Sequence, residues 1–387
     1  MNHSADETRA SLANNLRYFI KWSLIALLIG GTGGLIGSLF SMGVSFATSF
    51  RMNHPNMLFF LPVSGILIVW LYHTFHEEGN RGTNMVIDAI SSTEKVTLAT
   101  GPLIFVSTVL THIAGGSSGR EGAALQLGGS LGNLFGNAIH LDEKDKKIAI
   151  MCGMSAVFSA LFGTPVAAAI FPLEVISIGV LYYAALVPCI FSSFIGVGIA
   201  RYLGIAGEHF TVLSIPAISV SSVGWIIFLS ALCAGVSIVF CLMLHGAEHT
   251  YRKIFPNPYV RILAASAIFI LLTLLIGTRD YCGSSMPLIE RSMEGEIGYE
   301  AFFLKMLFTA IALGAGFKGG EIVPTLCVGA AFGCAFGQIT GFAPSLCAAC
   351  SMAALFAGVT NCPISSLVIA LELFGMREWN ISPLPLQ

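Results

Sequence analysis

The stretch Gly115–Gln126, GGSSGREGAALQ, places an arginine and a glutamate inside a glycine-rich turn with apolar segments on both sides. Of the 387 residues, 55% are hydrophobic and only 10% charged, and the mean hydropathy is +0.81. Soluble domains carry about 25% charged residues, so this chain lacks the charge to wet its surface and its main solvent is lipid. An ionisable residue inside such a chain is costly to keep there and marks function. The net charge of −2 gives no basic footprint, which removes nucleic acid as an expected partner.

Working outward from the turn, candidate membrane segments fall at 18–50, 57–75, 98–114, 123–139, 148–160, 164–203, 221–245, 259–276, 301–316, 323–341, 345–358 and 363–375. Several are shorter than the roughly 20 residues of a straight span, and glycine or proline interrupts them. Short, broken apolar helices accompany a buried polar pathway, because irregular backbone at membrane depth must line a cavity or be covered by protein. Segment 1–17 is polar and mixed in charge, unlike a cleavable signal peptide.

The chain also repeats itself. Gly82-x-x-Met85 recurs as Gly283-x-x-Met286, and Gly116-x-x-Gly119-x-Glu121 as Gly316-x-x-Gly319-x-Glu321, an offset of 200 for the second pair. Gly132, Phe135 and Gly136 answer to Gly333, Phe336 and Gly337, one residue later in phase. Pro165, Leu173 and Glu174 match Pro363, Leu371 and Glu372. The expected organisation is therefore a first membrane repeat at 18–205, a second at 206–375 and an atypical tail at 376–387. The span count leaves open whether the repeats run parallel or inverted. Paired, glycine-interrupted segments at corresponding places in two halves point to the substrate site of a transporter.

Each glycine loop feeds an apolar helical stretch, AALQLGGSLGNLFG after the first and PTLCVGAAFGCAFG after the second. Unpaired N–H groups and the positive end of the helix dipole make such a junction an anion site. Two of them meeting hold a small anion without a full formal charge, and weak holding is what release requires. The expected donors lie at Gly119, Arg120, Glu121, Gly122 and Ala123, and at Gly320, Glu321, Ile322 and Val323. A carboxylate tethered at Glu121 competes with a free anion for that place. Once protonated it is neutral and free to leave. One residue would thus gate the anion and carry a proton.

GGSSGREGAALQLGG resembles the signature of the CLC family of chloride channels and anion/proton antiporters, whose gating glutamate stands where Glu121 does. GGEIVP at Gly319–Pro324 resembles the family's second glycine motif, and EEGNRGTNMVIDAI at 77–90 lies where its first is expected. GTPVAAAIFPLEV and TNCPISSLVIALELFG resemble its two Pro-to-Glu helices. The resemblance spans about residues 20–375. It implies an all-α polytopic membrane protein of two inverted-topology repeats of tilted helices, assembled as a homodimer with one pathway per subunit in a bacterial plasma membrane. It also implies pathway roles for Arg81, Gly82 and Thr83. Arg81 stands where the family usually has an anion-site serine. Glu321, together with TNCP, resembles the fluoride/proton antiporter subclass, so Glu321 is a second candidate proton carrier beside Glu121. The family's internal glutamate aligns with Val175, next to Glu174. Past the second Pro-to-Glu helix the family continues with further helices and a pore-lining tyrosine, whereas this chain runs into REWNISPLPLQ; an incomplete second repeat is the expectation.

Two other signals compete. HGAEH at His245–His249 matches a zinc-hydrolase spacing with both histidines on one helical face, but no third ligand is evident and TYRK follows directly, as at a membrane boundary. Cys347 and Cys350 in CAAC have redox spacing on an apolar helix, where cysteine acts as a small hydrophobe. The expected function is transport of fluoride or chloride, in exchange for protons, with no enzymatic activity, cofactor or resident metal. A passive chloride channel is the alternative within the class, and an intramembrane zinc hydrolase the alternative outside it.

Overall fold

The computed structural model describes residues 2–79, 82–91, 97–176 and 181–375. Arg81 and the tail at 376–387 lie outside them, so neither expectation about those residues is met or refuted by the fold. The described chain is helical, and its one β feature is an isolated bridge. The first half runs α1 (Asn2–Asn53), α2 (Leu61–Thr74), α3 (Thr83–Ser91), α4 (Thr100–Ile113), α5 (Glu121–Ala138), α6 (Glu143–Phe162), α7 (Pro165–Glu174) and α8 (Leu186–Tyr202). The second half runs α9 (Val220–Ile254), α10 (Pro258–Ile276), α11 (Met286–Glu294), α12 (Ala301–Ala315), α13 (Ile322–Thr340), α14 (Pro344–Thr360) and α15 (Pro363–Phe374).

Local chemistry sets many of the boundaries. Asp142 caps α6 by accepting the Asp145 N–H at 2.8 Å, and Ser219 and Ser222 cap α9 reciprocally. Proline occupies the first turn of α7, α10, α14 and α15, where its missing N–H costs nothing. Helix α1 runs without a break from the polar N-terminal segment into the apolar stretch. The structure departs from the expected segments in two places. Segment 164–203 divides into α7 and α8 around a short 3-10 turn. The glycines of α1 do not interrupt it; they let it approach its neighbours. A side chain at Gly34 would lie 2.9 Å from the backbone of Gly196 in α8, and one at Gly33 would lie 2.7 Å from Ala156 in α6.

Among the described residues, six stretches are long and apolar enough to cross a membrane, including Leu16–Asn53, Val220–Ile254 and Ile322–Thr340. Large apolar side chains such as Leu24, Phe46, Ile227, Leu242 and Leu275 stand exposed along these helices, as lipid-facing residues do. The chain is a multi-pass integral membrane protein.

Helix contacts repeat between the halves in the same order. In the first, α1 packs on α4 and α6, α2 on α4, α3 on α5, α4 on α5, α5 on α6 and α6 on α7. In the second, α9 packs on α12 and α14, α10 on α12, α11 on α13, α12 on α13, α13 on α14 and α14 on α15. Helices α7 and α15 lie antiparallel and cap each other, the relation an inverted repeat requires. Glu372, near the end of α15, accepts the N–H groups of Val166 (2.9 Å) and Ala167 (2.8 Å) at the start of α7. Glu174, at the end of α7, accepts those of Ile364 (3.0 Å) and Ser365 (2.8 Å), and the Ser365 hydroxyl at 2.6 Å. These two buried carboxyl groups are therefore structural acceptors, each satisfying the opposite helix's unpaired donors.

Candidate functional site

The two glycine loops meet in the middle of the molecule. Gly119 and Gly320 exchange two backbone hydrogen bonds, the Gly119 N–H to the Gly320 carbonyl at 2.6 Å and the Gly320 N–H to the Gly119 carbonyl at 2.7 Å. The clasp joins equivalent residues at an offset of 201. Gly115 and Gly316, with φ of 84° and 111°, obey the same offset, as do Gly82 and Gly283 at 70° and 67°. The offset of 200 read for Gly116, Gly119 and Glu121 is thus one residue out of phase, while the 201 read for Gly82 and for Gly132 agrees with the structure. Glu121 is the first residue of α5, whereas Glu321 caps α13; their structural counterparts are Ile322 and Arg120 respectively.

The clasp also redistributes the expected donors. The N–H groups of Gly119 and Gly320 are spent on each other and are not free for an anion. Those still without an intrahelical acceptor include Gly122 and Ala123 in the first turn of α5, and Ile322 and Val323 in the first turn of α13. The two turns are pressed together, for a side chain at Gly122 would lie 2.9 Å from both the Gly320 backbone and the Thr83 hydroxyl. Thr83 donates to the Gly122 carbonyl at 3.3 Å, so α3 brings Gly82 and Thr83 of the first motif to the same place.

Glu121 is sealed from solvent at 1% exposure. Its carboxylate folds back over the start of its own helix and accepts the Arg120 N–H at 2.9 Å. It therefore lies beside the unpaired first-turn donors of α5. The Arg120 guanidinium stands 3.6 Å away and makes its close contact elsewhere, with Glu208 at 2.5 Å, in the segment between α8 and α9. On that side opens a cavity of about 550 Å³, lined in part by Arg51, Arg120, Arg279 and Arg291. Glu208 and Asp280 pair with Arg120 and Arg291. Arg51 forms no ion pair with a described carboxylate, and its Nε has no partner among the described residues.

Glu321, unlike Glu121, is exposed. Lys318 beside it sits over the Tyr72 ring at 4.2 Å, and His245 of α9 is within electrostatic reach of Glu321. The HGAEH signal thus falls near the second loop. His245 Nδ1 lies 2.8 Å from the Cys241 carbonyl of its own helix, and Glu248 pairs with Arg252 at 2.7 Å.

Sequence reasoning missed the charge beneath the first loop. Lys305 of α12 is fully buried, and its ammonium donates to the Ser117 hydroxyl (2.8 Å), the Ser285 hydroxyl (2.8 Å) and the Gly283 carbonyl (2.9 Å). A buried amine therefore stands one hydroxyl behind the loop, where helix ends alone were expected. The signal was available: Lys305 is the one charge within the α12 stretch AFFLKMLFTAIALGA. Glu208 had no comparable signal, because only the fold brings it to Arg120.

Comparison with known proteins places the chain in a family. A family-wide sequence model described as voltage gated chloride channel matches residues 64–383. A chloride/fluoride channel protein of Pseudomonas syringae pv. tomato is 30% identical over 93% of this chain and 81% of its own length. An H(+)/Cl(-) exchange transporter of Vibrio cholerae is 24% identical over 90% of this chain and 81% of its own. The crystal structure of a CLC-type fluoride/proton antiporter superposes with a TM-score of 0.88 at 30% identity, covering 93% of this chain and 92% of that one. A slow cyanobacterial Cl-/H+ antiporter shares the fold, with a TM-score of 0.76 at 18% identity. With matching helices, clasped glycine loops and a family match over most of its length, the chain belongs to the voltage-gated chloride channel (CLC) family.

Proposed function

We propose that this protein exchanges a small inorganic anion for protons across the membrane, with fluoride favoured over chloride and Glu121 as the gate. The observation that carries the reading is the position of the Glu121 carboxylate, sealed and folded onto the Arg120 N–H between the two first turns. An anion displaces it only when it swings away, and a proton makes that favourable by removing its charge. The names borne by the Pseudomonas protein and the fluoride/proton antiporter support fluoride; the Vibrio exchanger's name supports proton exchange with chloride. Glu321, open where Glu121 is closed, is the proposed second proton carrier. A homodimer with one pathway per subunit completes the reading, and crosslinking in native membranes tests it.

The rival is a passive chloride channel. One observation favours it: Glu174 is fully committed to capping α15 and has no free oxygen for proton traffic.

Efflux from proteoliposomes, fluoride against chloride with a pH electrode in the same cell, separates the two. Exchange gives anion loss with opposing proton movement, faster as pH falls because protonation frees Glu121. Chloride flux without protons would establish the channel. In Glu121→Ala, anion movement persists while proton movement and pH dependence vanish; coupling intact in that variant would remove Glu121 from the mechanism.

A further inference from the structure

Two adjacent serines in the first loop have opposite fates. Ser117 is saturated: its hydroxyl receives the Lys305 ammonium at 2.8 Å and lies 3.0 Å from the Thr309 hydroxyl. Ser118 is equally buried, at 0% exposure, yet its Oγ has no hydrogen-bond partner among the described residues. It lies in the seam between the loops, against its own structural counterpart, so that a side chain at Gly319 would come within 2.5 Å of it. The clasp of Gly119 and Gly320 follows immediately, and the open first turns of α5 and α13 lie just beyond.

A buried hydroxyl without a partner is a cost to the fold. Of several such hydroxyls among the described residues, Ser118 is the one in the glycine loops, next to the clasp and the two helix starts that present donors. The group that satisfies a hydroxyl, backbone N–H groups and a nearby positive end together is a small anion. We propose that the Ser118 hydroxyl is a direct ligand of the transported anion, donating to it alongside the first-turn N–H groups. Fluoride, with its single charge on the smallest radius, accepts the strongest hydrogen bond and gains most from this donor. Position 118 thereby supplies the side-chain hydroxyl that Arg81 cannot. The inference rests on the transport reading above and names a contact in it.

The test is Ser118→Ala, purified in detergent, with fluoride binding measured by titration calorimetry and unfolding followed with and without sodium fluoride at constant ionic strength. A ligand role gives two results together. Without fluoride the variant unfolds at the same temperature or higher, because an unsatisfied polar group has been removed. Its fluoride affinity falls about tenfold, equivalent to about 1.4 kcal/mol, and the stabilisation by fluoride shrinks with it. A structural role gives the reverse, a lower unfolding temperature in fluoride-free buffer, and would overturn the proposal. Equal fluoride affinity in the two proteins would overturn it while leaving transport intact. Wild type that binds and moves neither fluoride nor chloride would instead bring down the transport reading, and this contact with it.

Discussion

At the scale of single residues, the site is a set of distances that tolerate little. A side chain at Gly119 would lie 2.6 Å from the Glu121 carboxylate, at a backbone position that alanine otherwise accepts. Gly119→Ala should therefore unseat the carboxylate from the Arg120 N–H. Hydrogen bonds to charged groups are worth about 1.5–3 kcal/mol, so anion leak should rise about tenfold or more, read as proton-independent efflux. Lys305→Met leaves the Ser285 hydroxyl and the Gly283 carbonyl without their donor, while Ser117 keeps Thr309. Each orphaned group costs about 1–3 kcal/mol, so thermal unfolding should show a loss of about 2 kcal/mol or more, with weaker anion binding. Glu121 was legible in the sequence because a carboxylate between glycines in an apolar chain has few structural excuses. The partner of Arg120 was not, since Glu208 is 88 residues away in sequence and joined to it only by the fold.

The helices show how a one-residue error in register arises. Glycines recur often enough in this chain that offsets of 200 and 201 both produce matches, and the chance coincidence of two glutamates selected the wrong one. Backbone conformation does not share that ambiguity. A φ near +70° at Gly82 and Gly283 needs glycine for steric reasons, so those positions anchor the alignment. The same register places Gly132 of α5 where a side chain would meet the Ala149 carbonyl of α6 at 2.1 Å, and Gly333 of α13 where it would meet the Cys347 carbonyl of α14 at 2.2 Å. Alanine at either position should force the helix pair apart at about 1–3 kcal/mol, as a lower unfolding temperature with the helical circular dichroism retained. The crossed caps predict a further effect. Glu372→Gln loses the charge that strengthens two bonds to α7, and Glu174→Gln does the same to α15. Because both act on one antiparallel pair, their effects should be non-additive in a double-mutant cycle.

Over the whole molecule, charge is sparse and placed with purpose. Four arginines line the cavity on the Arg120 side, two of them held by Glu208 and Asp280. Arg51 and Arg279 form no ion pair with a described carboxylate, and Glu290 shares the lining. An attraction of anions by Arg51 would be screened by salt over about 10 Å at 0.1 M. Arg51→Gln should slow uptake at low salt and converge with wild type as an inert salt is added, in initial-rate flux measurements. Fold class, the two halves and both glycine loops were readable because composition, length and local turn chemistry declare them. What closes the site was hidden, since contacts across 200 residues leave no local trace. That same distance has a consequence for how the protein is made. When the first half emerges from the ribosome, α7 has bare N–H groups and Glu174 has nothing to cap. Synthesis at about 5–20 residues per second delays their partners by roughly 10–40 seconds. Throughout that interval the membrane insertion machinery must shelter an unpaired carboxylate and an open helix start. A nascent chain arrested before Pro363 should stay bound to that machinery, and one extended past Glu372 should be released into the bilayer.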